Sequence, residues 1–306
     1  MSLSDQENEY EHFPVQNAID IAILMHREAH FSGSFEFMLE YYQTGGKGVC
    51  LDFDIPRIQE LADMEKRMQQ NMAAMLLTGA DAEKVAKAKE AYKKLRELYE
   101  IQKLKHKYPI LIADLILSED ELPEKEIQAI VAEKGAIVPS LIELVCAEDY
   151  YDPLFPGYGL APTLAAKCLG LIGDKRAMIS LFELIGERDV ANEEVILEAL
   201  KAIGEPAKAF LLKVLHGKPI NQDNENAAIA LIEFKDDPEV ATQCFKMLKE
   251  VEIRKHPILG TYLALACEGL DKTPYKEEFL ALAQDPNTPK ILRQDILAIA
   301  QHWKNR

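Results

Sequence analysis

The chain is short of positive charge. Lys and Arg number 35 against 51 Asp and Glu, a net charge of −16 over 306 residues. An acidic surface of that size repels phosphate backbones, so general nucleic-acid binding is disfavoured. Tryptophan occurs once, at Trp303. The five cysteines (50, 146, 168, 244, 267) form no CxxC pair, which removes the paired-thiol zinc and redox motifs. Four of them fall in helical apolar patterns and are expected as buried thiols in a reducing compartment. No stretch approaches the roughly 18 apolar residues of a membrane span. The opening residues, MSLSDQENEYEHF, lack a basic segment followed by an apolar run, so no signal peptide is read there. The expectation is a cytoplasmic protein without a membrane span.

What the chain does have is a repeat. AAKCLGLIGDKRA, ILEALKAIGEPAK and AAIALIEFKDDPE begin at Ala165, Ile196 and Ala227, each 31 residues after the last. In this register Leu169, Leu200 and Leu231 coincide, as do Ile172, Ile203 and Phe234, and the acids Asp174, Glu205 and Asp236. Apolar residues at helical spacing make one buried face per copy. Gly173 and Gly204 then end their helices, since glycine takes the left-handed turn without a Cβ penalty. The acid that follows caps the next helix. Two short helices per copy, with no strand alternation, form a hairpin that buries its face only by stacking on its neighbours.

AAKCLGLIGDKRAMISLFELI resembles the short HEAT repeats known as PBS-lyase HEAT-like repeats. LALACEGLDKTPYKEEFLALAQ (263–284) reads as a degenerate fourth copy, and GAIVPSLIELVCAED (135–149) as the first helix of an earlier one, with a second helix from near Pro162. The resemblance covers about 108–303. It implies an all-α fold, a right-handed α-solenoid of HEAT-like helical hairpins, closed by a C-terminal capping helix from Pro289 to His302.

The N-terminal third does not match the repeat. Residues 1–13 read as a disordered tail and 14–107 as a separate helical domain. Helices are predicted from Val15 to His30, Ser34 to Tyr42, Pro56 to Leu77 and Ala82 to Lys107. The last two are expected to pair as an antiparallel hairpin ended by Tyr108-Pro109. Met64, Met68, Met72 and Met75 lie along one face of the first long helix, expected to pack on Val85, Ala88, Tyr92, Leu95 and Tyr99 of the second. The basic block 84–107 reads as a solvated face.

Four features invite a chemical reading. MHREAH (25–30) places His26 and His30 one helical turn apart, as in helical zinc sites. The zincin pattern needs Glu directly after the first His, where this chain has Arg27, and a closed site needs further ligands. Cys50, Asp52 and Asp54 follow the Gly-rich connector and could fold back, though nothing in the sequence requires it. Because Ile19, Ile23, His26 and His30 form one stripe, the pair is read as packed, hydrogen-bonded histidines, with a metal site as the alternative. TGGKGV (44–49) has Gly45 and Gly46 adjacent, not four residues apart as a phosphate loop requires; it reads as a connector whose glycines supply positive φ. The basic block is the third feature. The fourth is EDYYDPLFPGYG (148–159), placed between the two helices of one repeat. It carries Tyr150, Tyr151, Phe155 and Tyr158 on proline-stiffened backbone, and is the candidate partner-binding loop.

The HEAT resemblance brings enzymes to be weighed. Deoxyhypusine hydroxylase holds iron on His-Glu pairs, and none of the seven histidines here precedes Glu. HEAT-like DNA glycosylases use a basic face with Trp and Asp, against the charge and the single Trp303. A bilin-lyase-related activity follows by fold analogy only. The reading is a non-catalytic scaffold for a protein or peptide partner, bound on a solenoid groove or on the aromatic loop, without cofactor. The competing reading is a metal-dependent or small-molecule enzyme using His26, Glu28, His30 and acids near Asp52.

Overall fold

The computed structural model describes residues 17–46, 50, 52–100, 107–187 and 190–305. The tail expectation for 1–13, part of the Gly-rich connector and part of the basic block lie outside them. The described residues form helices and turns, with no strand among them. The chain divides into two compact units. One comprises 1–123 and 148–161, the other 124–147 and 162–306. The sequence reading put the boundary near 107. Helix 107–116 instead belongs to the first unit, as does the aromatic segment.

The first unit is built around α1 (Ala18–His30). Asn17 caps it by accepting from the Asp20 N–H, satisfying a first-turn donor. The single apolar stripe expected of α1 is overturned: Ile19 is exposed, while Ile23, Leu24, Met25, His26, Arg27 and Ala29 are buried. The helix is wrapped on more than one side. Ile23 and Leu24 join Phe35 and Met38 of α2 (Phe35–Gln43), and Ile58, Leu61 and Met64 of α3 (Ile55–Met68). Met25 and Ala29 join Val85 and Ala88 of α5 (Ala80–Glu100).

The long helix expected from Pro56 to Leu77 is interrupted. Gln69 takes the left-handed conformation at φ 53°, and a short α4 (Met72–Leu76) restarts after the Asn71 cap. The break sends the methionines elsewhere. Met64 and Met72 pack with α1 and α2, not with α5, and Met75 is exposed. The expected pairing of the two long helices is thus replaced, with α3 lying mainly on α2 and α5 mainly on α1. Pro109 does not end a helix here. It sits in the first turn of α6 (Lys107–Ile116), where its missing N–H costs nothing.

The second unit starts with α7 (Glu124–Val131) and α8 (Val138–Val145). After the aromatic segment come α9 (Ala161–Ile172), α10 (Met178–Glu183), α11 (Val190–Ile203), α12 (Glu205–Leu215), α13 (Gln222–Leu231), α14 (Pro238–Leu248), α15 (Pro257–Leu265), α16 (Lys276–Leu282) and α17 (Lys290–Asn305). Since α9 is the first helix of the copy at Ala165, the aromatic segment lies between successive helix pairs, not inside one as the sequence suggested.

Odd-numbered helices pack on odd ones: α11 on α13, α13 on α15, α15 on α17. Even ones meet through rings, Phe182 of α10 on Phe210 of α12 at 5.4 Å and Phe245 of α14 on Phe279 of α16 at 5.8 Å. The turn chemistry expected of the repeats is present in part: Glu205 lies inside α12 and makes no capping bond, the N-cap position being Gly204. Gly173 and Gly204 have φ of 68° and 77°, and Asp174 accepts from the Arg176 N–H. In the third copy the capping acid is Asp237, one residue after the aligned Asp236; it accepts from the Glu239 N–H. Ion pairs tie the copy at Ile196 to the copy at Ala227 through Lys201–Glu233, Lys208–Asp237 and Lys218–Glu250, and that copy to the fourth through Lys249–Glu278. At the C-terminal end the indole N–H of Trp303 donates to the Glu268 carbonyl at 2.7 Å.

Two helices approach closely at Gly170 of α9. A Cβ there would stand 2.9 Å from the Ala199 Cα and 3.2 Å from its Cβ, on α11. Gly170→Ala is therefore expected to destabilise the protein by about 1–3 kcal/mol, although alanine is the better helix former. Urea unfolding measures it, and an unchanged midpoint would show that the two helices part freely.

Of the cysteines, 168, 244 and 267 are buried and 50 is half-buried. Cys146 is exposed, which corrects the expectation of four buried thiols; it follows the last turn of α8, outside the apolar stripe. Burial pushes the Cys168 and Cys244 thiols up to about 12, so they are inert packing groups.

Candidate functional site

Each polar residue of the MHREAH segment has a defined partner or environment inside the first unit. Arg27, with no exposed surface, donates to the Glu65 carboxylate at 2.7 Å and to Glu28 at 2.9 Å. Its guanidinium also lies 4.4 Å from the centre of the Phe35 ring. Glu65 accepts in addition from the Met72 N–H, so one buried cation fixes α1, α3 and the start of α4. Glu28, a candidate for the enzyme reading, is fully engaged. Burial acts to raise its carboxyl, but hydrogen bonds from Lys89 and Arg27 outweigh this and hold it low. At the other end of α1 the buried Asp20 takes a two-pronged contact from Arg57, at 2.8 and 2.7 Å.

The two histidines face a different environment. Their ring centres are 4.3 Å apart. Around His26 stand Phe31, Tyr42, Phe53 and Tyr158, with ring centres at 5.4 to 6.1 Å. His30 is stacked on Tyr158 at 4.4 Å with 22° between the planes. The sequence treated the histidine pair and the aromatic segment as separate candidates, and the fold brings them together.

Hydrogen bonds fix the His30 tautomer. Its Nε2 lies 3.1 Å from the Pro153 carbonyl, which can only accept, so Nε2 carries the proton. Its Nδ1, 2.7 Å from the Tyr92 hydroxyl, is then the acceptor of that O–H. His26 differs: its Nε2 is buried without a hydrogen-bond partner. Burial, reinforced by the neighbouring His30, pushes the His26 imidazole down to about 3. Burial likewise pushes His30 down to about 4, against the opposing pull of the Pro153 carbonyl and Asp152. Both rings are neutral at pH 7.

Glu119 and Tyr158 complete the cluster. Tyr158 is hydrogen bonded to Tyr41, and burial followed by the nearby Glu119 carboxylate keeps its phenol protonated. Both Glu119 and Tyr158 have positive φ, 50° and 52°, an uncommon conformation for residues with side chains. Strain of this kind gathers at functional sites and at tightly fixed crossings alike.

The segment 148–161 is thereby a strap laid on the first unit. Phe155 and Leu154 are core residues with Met25, Ala29, Val85 and Ala88. Asp152 pairs with Lys84. Tyr150 tilts against Phe155, with ring centres 6.2 Å apart. Of the four expected partner-binding residues, Phe155 is buried and Tyr150, Tyr151 and Tyr158 are half-buried. Phe155 is core, not a free contact, because its ring is enclosed by residues of α1 and α5.

The metal alternative finds no support in the geometry. No group of three His, Cys, Asp or Glu is placed to hold an ion among the described residues. Cys50 meets the first unit through its backbone, its N–H donating to the Tyr42 hydroxyl at 3.2 Å.

Sequence reasoning missed a feature of the second unit. An apolar groove of about 300 Å³ lies between the α14 end, the start of α15 and the start of α17. Ile258 and Ile291 on it are 56% and 65% exposed, high for large aliphatic side chains meeting at one place. No spacing signal marks it, because its residues come from separate helices.

The described residues thus define an all-helical protein, and none of its helices is long and apolar enough to cross a membrane. No family model matches the chain, and no curated protein or solved structure is significantly similar to it.

Proposed function

We propose that the protein is a non-catalytic scaffold, and that its second unit is a right-handed α-solenoid of HEAT-like repeats that binds a partner protein. The observation that carries this reading is the stacking of odd helices on odd and even on even, with ion pairs joining the second copy to the third and the third to the fourth. Stacked hairpins present a long continuous surface, suited to a protein or peptide ligand. The strap, whose rings are engaged within the first unit, is not the part assigned to binding.

One observation favours an alternative, a small-molecule enzyme in the first unit. The orphaned His26 Nε2 lies beside Tyr158, with positive φ at both Tyr158 and Glu119. A single experiment separates the two. Tagged full-length protein is recovered from cells as wild type, as Leu171→Glu/Ile179→Glu, which alters two exposed aliphatic residues of α9 and α10, as Ile258→Glu/Ile291→Glu, and as Tyr158→Phe. The scaffold reading expects a near-stoichiometric protein partner, lost in at least one second-unit variant and kept by Tyr158→Phe. If no protein is lost from either second-unit variant, the reading fails.

A further inference from the structure

The scaffold reading does not say where a partner sits or what kind of segment it offers. Gly260, on the groove floor in α15, bears on both. It faces Leu248 and Ile253, yet a Cβ built on it would meet them only at 4.0 and 3.8 Å, ordinary contact distances. Its φ lies outside the left-handed region. Neither packing nor backbone conformation therefore requires glycine here, in contrast to Gly170. A glycine inside a helix weakens it relative to alanine. What this glycine does is leave space in the groove that it lines together with Ile258, Ile291 and Leu292. Two prolines, Pro257 and Pro289, stiffen its edges.

Charge supplies the second part. Lys255 and Lys290 are exposed beside groove residues, and neither makes an ion pair among the described residues. Glu250 and Glu252, on the same stretch as Lys255, share one cation, Lys218, at 3.2 and 3.1 Å. In a chain of net charge −16, two exposed lysines without an ion pair supply positive charge next to groove-lining residues, and opposite charge at a rim selects the partner.

We propose that this groove docks a short segment of a partner protein in which large apolar side chains are flanked by Asp or Glu. This rests on the scaffold reading and narrows it to one surface. The apolar anchors fill the space over Gly260, and the flanking acids meet Lys255 and Lys290.

The test uses full-length protein and two sets of fluorescent 12-residue peptides. Each peptide carries Leu or Phe at two positions four apart. One set has Glu on both flanks, the other has Lys at the same positions. Anisotropy titrations are expected to show binding of the Glu set at least tenfold tighter than the Lys set. Gly260→Leu, which fills the floor, is expected to weaken the Glu set at least tenfold. Lys255→Glu/Lys290→Glu is expected to reverse the preference. Gly260→Ala serves as the folding control, and its Tm is expected not to fall.

Equal affinity for the two sets, absence of binding by either, or binding indifferent to Gly260→Leu would each overturn the proposal. So would concentration-dependent dimerisation of the wild type abolished by Gly260→Leu, since a second copy would then be the occupant. If Gly260→Leu leaves a cellular partner fully bound, the groove assignment fails while the scaffold reading stands. If no partner is found for any form, the scaffold reading itself fails.

Discussion

The protein is expected to lose roughly 3–4 kcal/mol of stability between pH 7 and pH 5 through two histidines. His26 and His30 titrate at about 3 and about 4 in the folded chain, and near 6.5 once unfolded. A folded pKa below the unfolded one means that the unfolded chain takes up protons the folded one refuses. The stabilisation is complete above the unfolded value and drains away as pH falls through the window from 6.5 towards 3–4. Each histidine contributes about 1.4 kcal/mol per pH unit within that window.

The groups around the pair do not replace this effect. Tyr42, Tyr92 and Tyr158 stay protonated throughout, and Glu119 and Asp152 are the carboxylates that act on these rings. Urea midpoints at pH 7 and pH 5 measure the loss. His26→Phe/His30→Gln is expected to flatten the profile, because phenylalanine suits the ring cluster and glutamine retains a donor for the Pro153 carbonyl. A double variant as acid-sensitive as wild type would refute the assignment. Hydrogen exchange at pH 5 should rise first in the strap 148–161, which His30 ties down through Pro153 and Tyr158.

Arg27→Met is expected to cost about 3–5 kcal/mol, the range for breaking a buried ion pair from one side. Methionine keeps the apolar stem over Phe35 but leaves the Glu65 carboxylate without its cation. The loss comes from the stranded charge, so Arg27→Met/Glu65→Gln should recover a good part of it. Glu65→Gln retains an oxygen to accept from the Met72 N–H. Chemical unfolding of the single and double variants forms the cycle. Strictly additive losses would show that the two residues do not act as a pair.

The two effects share a helix, and α1 shows how far a sequence can be read. Its helical character and its end near His30 follow from spacing and capping, which are local. Its burial on more than one side does not. The Ile19, Ile23, His26, His30 stripe suggested one buried face, yet Ile19 is exposed and Arg27, which the pattern would place in solvent, is fully buried. A cation is tolerated there only because Glu65 and Glu28 arrive from other parts of the chain. The methionines were misplaced for a similar reason. Their period promised a continuous helix, and the left-handed Gln69 broke it.

The local grammar of this protein is legible in its amino acids. The 31-residue period, the glycine stops at Gly173 and Gly204 and the acidic cap at Asp174 are written in neighbouring residues, because helix starts and stops depend on the few backbone groups within reach. Only the tertiary structure decided the rest. Tyr158 meets His30 across more than a hundred residues, and Ile258 meets Ile291 in one groove. Such meetings depend on how helices pack, and side-chain periodicity records which face is apolar without recording what will cover it. The groove keeps two large aliphatic residues exposed, and the fold itself leaves them uncovered.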